Sequence, residues 1–116
     1  MTTRLGACLE CGCSFEFRDT RPREFCRARC RKRWNNRRMT RGAELYDLYM
    51  AHRFDRANAQ ELGVFQAINR LASNYRQEDN FERSGRRSWR WSRAVIEERP
   101  FLKAIVTREG TGRRSA

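Results

Sequence analysis

The sequence predicts a small α+β fold, in which a β-hairpin and a helix at the N-terminus precede a mostly α-helical C-terminal part. Three observations support this prediction. Two cysteine pairs lie within the first 30 residues, a run of basic residues without an acid follows them, and apolar residues recur at helical spacing further along the chain. A chain of 116 residues is long enough for one compact domain or for a small module with appended helices.

The cysteine spacing C-x2-C-x14-C-x3-C predicts one structural zinc ion held by four thiolates, from Cys8, Cys11, Cys26 and Cys30. Free buried thiols or disulfides are the alternative. The segment Met1–Gly6 lacks the apolar core of a signal peptide, so we expect a cytoplasmic location, where paired cysteines are more often metal ligands than disulfides. Four ligands are already present, so we expect neither Cys13 nor the single histidine, His52, to bind the metal.

The residues between the cysteine pairs predict a hairpin. Ser14–Phe17 alternates polar and apolar residues, Arg18–Pro22 has turn chemistry, and Arg23–Phe25 would return as the second strand. Phe15 or Phe17, together with Phe25, would cover the metal.

A helix is expected to begin near Arg27 or Ala28, with Cys30 in the first turn, where the helix dipole favours a thiolate. Gly42 would end it at about Arg41. A knuckle, a hairpin and a helix around four cysteines form the treble-clef arrangement. Trp34 is expected to pack against this module or the helices that follow, with base stacking as the alternative.

The C-terminal part predicts a helical hairpin. Ala43–Phe54 has an amphipathic pattern with Leu45, Leu48, Tyr49 and His52 on one face. Asn58 and Glu61 resemble a capping box, and a second apolar face follows, made of Val64, Ile68, Leu71 and Tyr75. Ser92–Arg99 is expected to be a short helix ended by Pro100, and Phe101–Thr107 a strand or a packed extended segment.

These elements give three predicted units. Residues 1–41 form the zinc module with its basic helix, residues 42–107 the helical hairpin and C-terminal segment, and residues 108–116 a flexible tail.

The charge of the chain favours a polyanionic partner. The formal net charge is +12, and 24 of the 26 basic residues are arginine, which makes bidentate contacts to phosphate and to guanine. A GC-rich genome would produce the same arginine content without a functional cause. No segment is apolar enough for a membrane span, so we expect no membrane partner.

The basic residues near the second cysteine pair are the predicted nucleic-acid contacts. Eight of them lie between Phe25 and Ala43 with no acid among them, and the region from Arg83 to Arg93 offers a second patch. In the second patch arginines alternate with Trp89 and Trp91, which would suit single strands or RNA, or would be core or interface anchors. The predicted contacts are Arg27, Arg29, Arg31, Lys32, Arg33, Asn36, Arg37, Arg38, Arg41, Arg86, Arg87 and Arg90.

The N-terminal third resembles a known family. Cys8, Cys11 and Gly12, then Arg21, Pro22, Phe25, Cys26, Cys30 and Arg31, are similar to the FCS-type zinc fingers, and in particular to the small bacterial zinc proteins that inhibit DNA gyrase. The resemblance covers residues 8–34 and implies a treble-clef zinc module that binds DNA, RNA or protein. Arg27 departs from it, because the family usually has serine there.

The sequence thus predicts a non-catalytic, zinc-stapled nucleic-acid-binding protein with a regulatory or accessory role, on DNA in preference to RNA and without a small-molecule substrate. A site closed by four cysteines leaves no position for a reacting water, and no catalytic motif is present. The alternative is an adaptor or inhibitor that docks on an acidic surface of a nucleic-acid enzyme such as DNA gyrase or RNA polymerase.

Overall fold

The structure is a computed structural model that describes residues 3–18 and 21–103. The described residues form a two-stranded antiparallel sheet, then four helices and a terminal 3-10 turn. The strands are β1 (Arg4–Ala7) and β2 (Ser14–Phe17), and the helices are α1 (Ala28–Phe54), α2 (Arg56–Leu62), α3 (Val64–Glu82) and α4 (Ser92–Glu98), with the turn at Pro100–Lys103. The predicted small α+β class is confirmed. The predicted tail lies outside the described residues.

The hairpin uses a different partner strand from the predicted one. β2 is confirmed, but it pairs with β1 in the register Arg4 to Phe17, and the prediction of a strand at Arg23–Phe25 is wrong. A Cβ atom on Gly6 would lie 3.1 Å from the Phe15 ring, so glycine in β1 leaves room for the phenylalanines of β2. The Glu24 carbonyl instead accepts a hydrogen bond from the backbone amide of Leu9.

Helix α1 begins at Ala28 as predicted, but it continues through Gly42 to Phe54, so the predicted stop is wrong. A glycine inside a helix costs about 1 kcal/mol relative to alanine. Packing of the second half of α1 against α3 offsets this cost, since His52 stacks on Phe65 with ring centroids 5.5 Å apart. The boundary predicted at residue 41 therefore falls inside one helix, and the division into units stays a prediction.

Helices α2 and α3 are separated by Gly63, whose φ of +72° is left-handed. The apolar face from Val64 to Tyr75 is confirmed as part of α3, and its side chains are half-buried. The predicted capping box is wrong, because Asn58 lies inside α2, and its side-chain amide donates to the Asp55 carboxylate.

The C-terminal elements are confirmed in part. Helix α4 ends at Glu98, shortly before Pro100, as predicted. The strand or extended segment predicted from Phe101 is wrong over its first three residues, because a 3-10 turn spans Pro100–Lys103, and the rest lies outside the described residues. None of the helices in the described part of the chain has both the length and the apolar content needed to cross a membrane.

The core is small and lies where the base of α1 meets the hairpin. Trp34 is 3% exposed and packs edge-on against Phe25, with centroids 5.7 Å apart, so the prediction that it packs against the cysteine module is confirmed. Phe17 is also buried. Three arginine guanidinium groups surround the Trp34 ring at 5.4 to 5.9 Å, namely those of Arg38, Arg83 and Arg90. Arginine therefore supplies part of the packing that apolar residues usually provide.

Candidate metal centre and nucleic-acid interface

Four cysteines converge at the junction of the hairpin and α1. Cys8 and Cys11 lie in the turn between β1 and β2, Cys26 lies just before α1, and Cys30 lies in its first turn. Their four sulfur atoms lie within 4.8 Å of one another. The Cys11–Cys26 and Cys26–Cys30 sulfur separations are both 3.7 Å. A tetrahedron with metal–sulfur bonds of about 2.3 Å has edges of about 3.8 Å, so the spacing fits one tetrahedral metal ion.

The protein backbone favours thiolates at part of this site. Burial opposes ionisation of Cys8, but hydrogen bonds from the backbone amides of Cys11, Cys26 and Glu10 outweigh it and lower the pKa of the thiol. Gly12 has a left-handed φ of +81°, and its backbone amide donates to the Cys8 carbonyl at 2.9 Å, which closes the tight turn around Cys8 and Cys11. The Arg27 guanidinium lowers the pKa of Cys26.

Cys30 has the opposite tendency. Its burial in the first turn of α1 raises the pKa of its thiol to about 12, and hydrogen bonds with the neighbouring cysteines add to the effect. A buried thiolate at this position needs a cation, and a metal ion shared by all four sulfur atoms would supply it.

Cys13 and His52 are not members of the four-cysteine group. Cys13 is exposed, and hydrogen bonds with Cys11 and Cys26 raise the pKa of its thiol to about 12. Its sulfur is not part of the group within 4.8 Å. His52 lies near the other end of α1, between Tyr49 and Phe65.

A buried ion-pair network fixes the cysteine turn to α1 and to the end of α3. Glu10, between Cys8 and Cys11, is 7% exposed, and its two carboxylate oxygens accept hydrogen bonds from the Arg37 guanidinium. Arg83, which is 4% exposed, lies 3.4 Å from the same carboxylate and also donates to the Leu9 carbonyl at 2.6 Å. The attraction of Arg37 and Arg83 outweighs the effect of burial and lowers the pKa of Glu10.

The second carboxylate of the network is Asp79, near the end of α3, which is 4% exposed. It accepts from both the backbone amide and the hydroxyl of Ser88, each at 3.2 Å, and from Arg41 of α1 at 3.1 Å. The Ser88 hydroxyl also accepts from Arg83 at 2.9 Å. These hydrogen bonds therefore hold the loop after α3 against both α1 and α3.

Sequence reasoning missed the central residues of this network: Glu10, Asp79, Arg83 and Ser88. Asp79, Arg83 and Ser88 are close together in the sequence, but their contacts with α1 and the cysteine turn, and the contact of Glu10 with Arg37, join residues 27 to 74 positions apart. At such a separation no local pattern indicates contact. An acidic residue enclosed by two cysteines in a chain of net charge +12 was the one signal that could have identified Glu10.

The predicted nucleic-acid contacts fall into two groups. The first group consists of arginines whose guanidinium groups already bind other groups of the protein, and the second consists of basic residues that face solvent. In the first group, Arg37 and Arg41 bind buried carboxylates, and Arg38 donates to the Ser88 carbonyl. Arg90 pairs with Glu24 at 2.8 Å, Arg86 donates to the Glu10 carbonyl, and Arg87 donates to the Trp89 carbonyl.

The second group faces solvent on the first turns of α1. Arg29, Lys32, Arg33 and Asn36 have the spacing i, i+3, i+4 and i+7, so they share one helix face, and all four are exposed. Among the residues that the structure describes, none of the three cations has an ion pair or a hydrogen bond to a carboxylate. Arg31 is also exposed and lies to one side, and Arg27 lies beside the Cys26 thiol. We call Arg29, Lys32, Arg33 and Asn36 the basic face.

Comparisons of the chain with family models, with curated proteins and with solved structures find no match. The resemblance to FCS-type zinc fingers and to gyrase-inhibiting zinc proteins therefore stays a prediction. The cysteine cluster beside a hairpin and a helix is the part that the structure supports.

Proposed function

We propose that this chain is a non-catalytic nucleic-acid-binding protein, stapled by one structural zinc ion and acting on DNA in a regulatory or accessory role. Zinc is the metal of choice for a tetrahedral site of four cysteine thiolates. Such a protein would act in the cytoplasm, at the nucleoid. The cysteine geometry also supports the treble-clef assignment, although β1, and not a strand after the turn, completes the hairpin.

The basic face is the observation that carries this proposal. Like charges on successive turns of a helix repel one another by a few tenths of a kcal/mol per pair, and carboxylates usually relieve this repulsion. The arginines on the inner side of α1 form ion pairs with such carboxylates, and no member of the basic face forms one within the described residues, although the charge of Arg33 acts on Glu10 from a greater distance. A polyanion is therefore the partner that the basic face fits.

The shape of α1 favours duplex DNA over duplex RNA. The major groove of B-form DNA admits an α-helix, whereas the deep, narrow major groove of RNA does not. Asn36 extends the basic face by one turn and carries a side-chain amide that can pair with an adenine edge. Arg29, Lys32 and Arg33 would contact phosphates on either side.

Charge reversal with a matched control tests the proposal. We expect Arg33→Glu and Lys32→Glu each to weaken binding of a short DNA duplex, measured by fluorescence anisotropy, and to reduce the slope of log affinity against log salt by about 1. Arg53→Glu is the control, because Arg53 is exposed in the last turn of the same helix and carries the same charge. It should leave the slope nearly unchanged.

Two outcomes would reject the proposal. One is duplex affinity that does not change between about 50 and 200 mM salt, because phosphate contacts require a steep dependence. The other is equal loss in the Arg53 control and the basic-face variants, because net charge alone would then explain the binding.

A second function is favoured by a separate observation. Beyond the basic face, the same side of α1 exposes Met39, Tyr46, Met50 and Phe54, with exposures of 39% to 76%. Exposed apolar side chains along one helix face are typical of protein interfaces. The alternative is therefore an adaptor or inhibitor of a nucleic-acid enzyme such as DNA gyrase or RNA polymerase. Retention of either enzyme from nuclease-treated lysate by the wild type, and not by Tyr46→Glu, would favour it.

A further inference from the structure

Ser88 to Trp91 lie in the loop before α4, and their side chains alternate between inside and outside. Ser88 is buried in the network, and Arg90 reaches inward to Glu24 and the Trp34 ring. Trp89 and Trp91 alternate with these two residues. They point outward and are 49% and 59% exposed. The inward contacts of this segment hold its outward side chains in place.

The outward side chains form a compact aromatic cluster. The rings of Trp89 and Trp91 meet edge to face with centroids 4.8 Å apart. The Arg87 guanidinium lies 4.3 Å from the Trp91 centroid and is fixed by its hydrogen bond to the Trp89 carbonyl. The two rings thus contact each other and Arg87, while about half of each tryptophan stays exposed to water.

The cluster borders a cleft of about 1000 Å³ that also reaches the cysteine turn. Arg76 and Arg86 line the cleft. Within the described part of the chain, Arg86 uses only its Nε atom in a hydrogen bond, and Arg76 has no ion pair. The two acidic residues in the lining, Glu24 and Asp79, are already paired with arginines. The cleft is therefore positively charged and has arginine N–H groups free for an anion.

We propose that this cleft binds unpaired nucleotides of a single-stranded segment. The bases would stack on Trp89 and Trp91, and Arg76 and Arg86 would hold the phosphates. Duplex bases do not expose their ring faces, so stacking of this kind selects single strands. An uncharged apolar peptide would fit the rings but would leave the arginines without a partner.

The inference rests on the proposed nucleic-acid binding and adds a second site to it. The basic face would hold a duplex, and the tryptophan cleft would hold an adjoining unpaired strand. Different residues form the two sites, so variants can separate them.

The test measures binding of an oligothymidine of about 12 nucleotides to the full-length, zinc-loaded protein. We expect Trp89→Ala and Trp91→Ala each to weaken this binding by about tenfold, while duplex affinity changes by less than about twofold. Trp91→Phe should keep most of the single-strand affinity. Phe81→Ala is the matched control, because Phe81 is an aromatic residue that is 90% exposed on α3, and it should change neither affinity. Zinc content verifies folding of each variant.

The outcomes distinguish the two proposals. Unchanged oligothymidine binding in both alanine variants, with duplex binding intact, overturns the single-strand site and leaves the duplex proposal standing. Tryptophan-dependent oligothymidine binding without duplex binding supports the cleft and rejects the duplex proposal. Absence of both kinds of binding in the wild-type protein overturns both.

Discussion

The two sides of helix α1 near its N-terminus carry the same kind of residue in different environments. On the inner side, Arg37 and Arg41 bind Glu10 and Asp79, carboxylates that are themselves 7% and 4% exposed. On the outer side, Arg29, Lys32 and Arg33 are exposed and lack carboxylate partners among the described residues. Arginine thus stabilises the fold on one side and remains available for a ligand on the other. The run of eight basic residues is not one surface.

The buried ion pairs on the inner side of α1 stabilise the fold only while both members of each pair are present. Removing one member of a buried ion pair leaves an uncompensated charge and costs about 3–5 kcal/mol, whereas an exposed pair contributes about 1 kcal/mol or less. In the network, Arg83 binds carboxylate, carbonyl and hydroxyl oxygens, and only its Nε atom lacks a partner.

The metal should contribute more stability than the arginine network. A structural zinc site contributes about 10–16 kcal/mol of folding free energy. We therefore expect Cys26→Ser, or removal of the metal by a chelator, to unfold the N-terminal module and to release Glu10 from Arg37, as measured by circular dichroism and tryptophan fluorescence. Native mass spectrometry should give one zinc ion in the wild type.

Cys13→Ser is the matched control, since Cys13 is a nearby exposed cysteine outside the group of four. It should retain one zinc ion and the wild-type fold. Loss of zinc in this variant, or an unchanged fold in Cys26→Ser, would contradict the ligand assignment.

Arg83 and Arg29 provide the direct comparison of buried and exposed arginine. We expect Arg83→Met to lower the free energy of unfolding by about 3 kcal/mol, because Glu10 and Asp79 would each lose a buried cation. Arg29→Met should change it by no more than about 0.5 kcal/mol. Urea denaturation of the zinc-loaded proteins measures both.

For duplex DNA binding, the effects of the same two variants should be in the opposite order to their effects on stability. Arg29→Met should weaken duplex DNA binding, and Arg83→Met should not, provided that the measurement is made at low temperature where the variant is folded. Similar losses of stability in both variants would contradict the division of α1 into a buried and an exposed side.

Sequence reasoning succeeded where the determinants are local. The cysteine spacing predicted which four sulfur atoms converge, and the apolar repeat from Val64 predicted α3, because each pattern is complete within one continuous stretch of the sequence. It failed at Gly42, where a local stop signal of about 1 kcal/mol was outweighed by packing against α3. It also failed for β1, whose glycine matters only once the rings of Phe15 and Phe17 are placed opposite.

The sequence could not predict which arginines of α1 are buried and which face solvent. Helical geometry puts Arg29 and Arg38 on opposite sides of α1, but nothing local says which side is buried. That depends on Asp79 and Ser88, which approach α1 only after α3 has folded back along it. Charge counted along the sequence therefore overestimates the charge that faces solvent.

The smallest loss of stability that we predict for the inner side of α1 lies where this side becomes half-exposed. The Tyr75 hydroxyl donates to the Glu44 carboxylate, and the Arg41 guanidinium lies 4.8 Å from the Tyr75 ring centroid. Tyr75→Phe keeps the ring and removes the hydrogen bond, so we expect a loss of about 1 kcal/mol in the free energy of unfolding at neutral pH. Tyr46→Phe is the control, because Tyr46 is 63% exposed, and it should have no effect.

The dependence on pH tests whether the Tyr75 hydroxyl, and not only its ring, contributes to that stability. Burial, together with the bond to Glu44, raises the pKa of Tyr75 to about 12, above about 10 for tyrosine in the unfolded chain. Between these values the unfolded state releases a proton that the folded state retains, so this stabilisation is complete below about pH 10 and is lost as the pH rises towards 12. The difference between the wild type and Tyr75→Phe should therefore shrink over that range. A constant difference would mean that packing, and not the hydroxyl, holds α3 against this end of the arginine network.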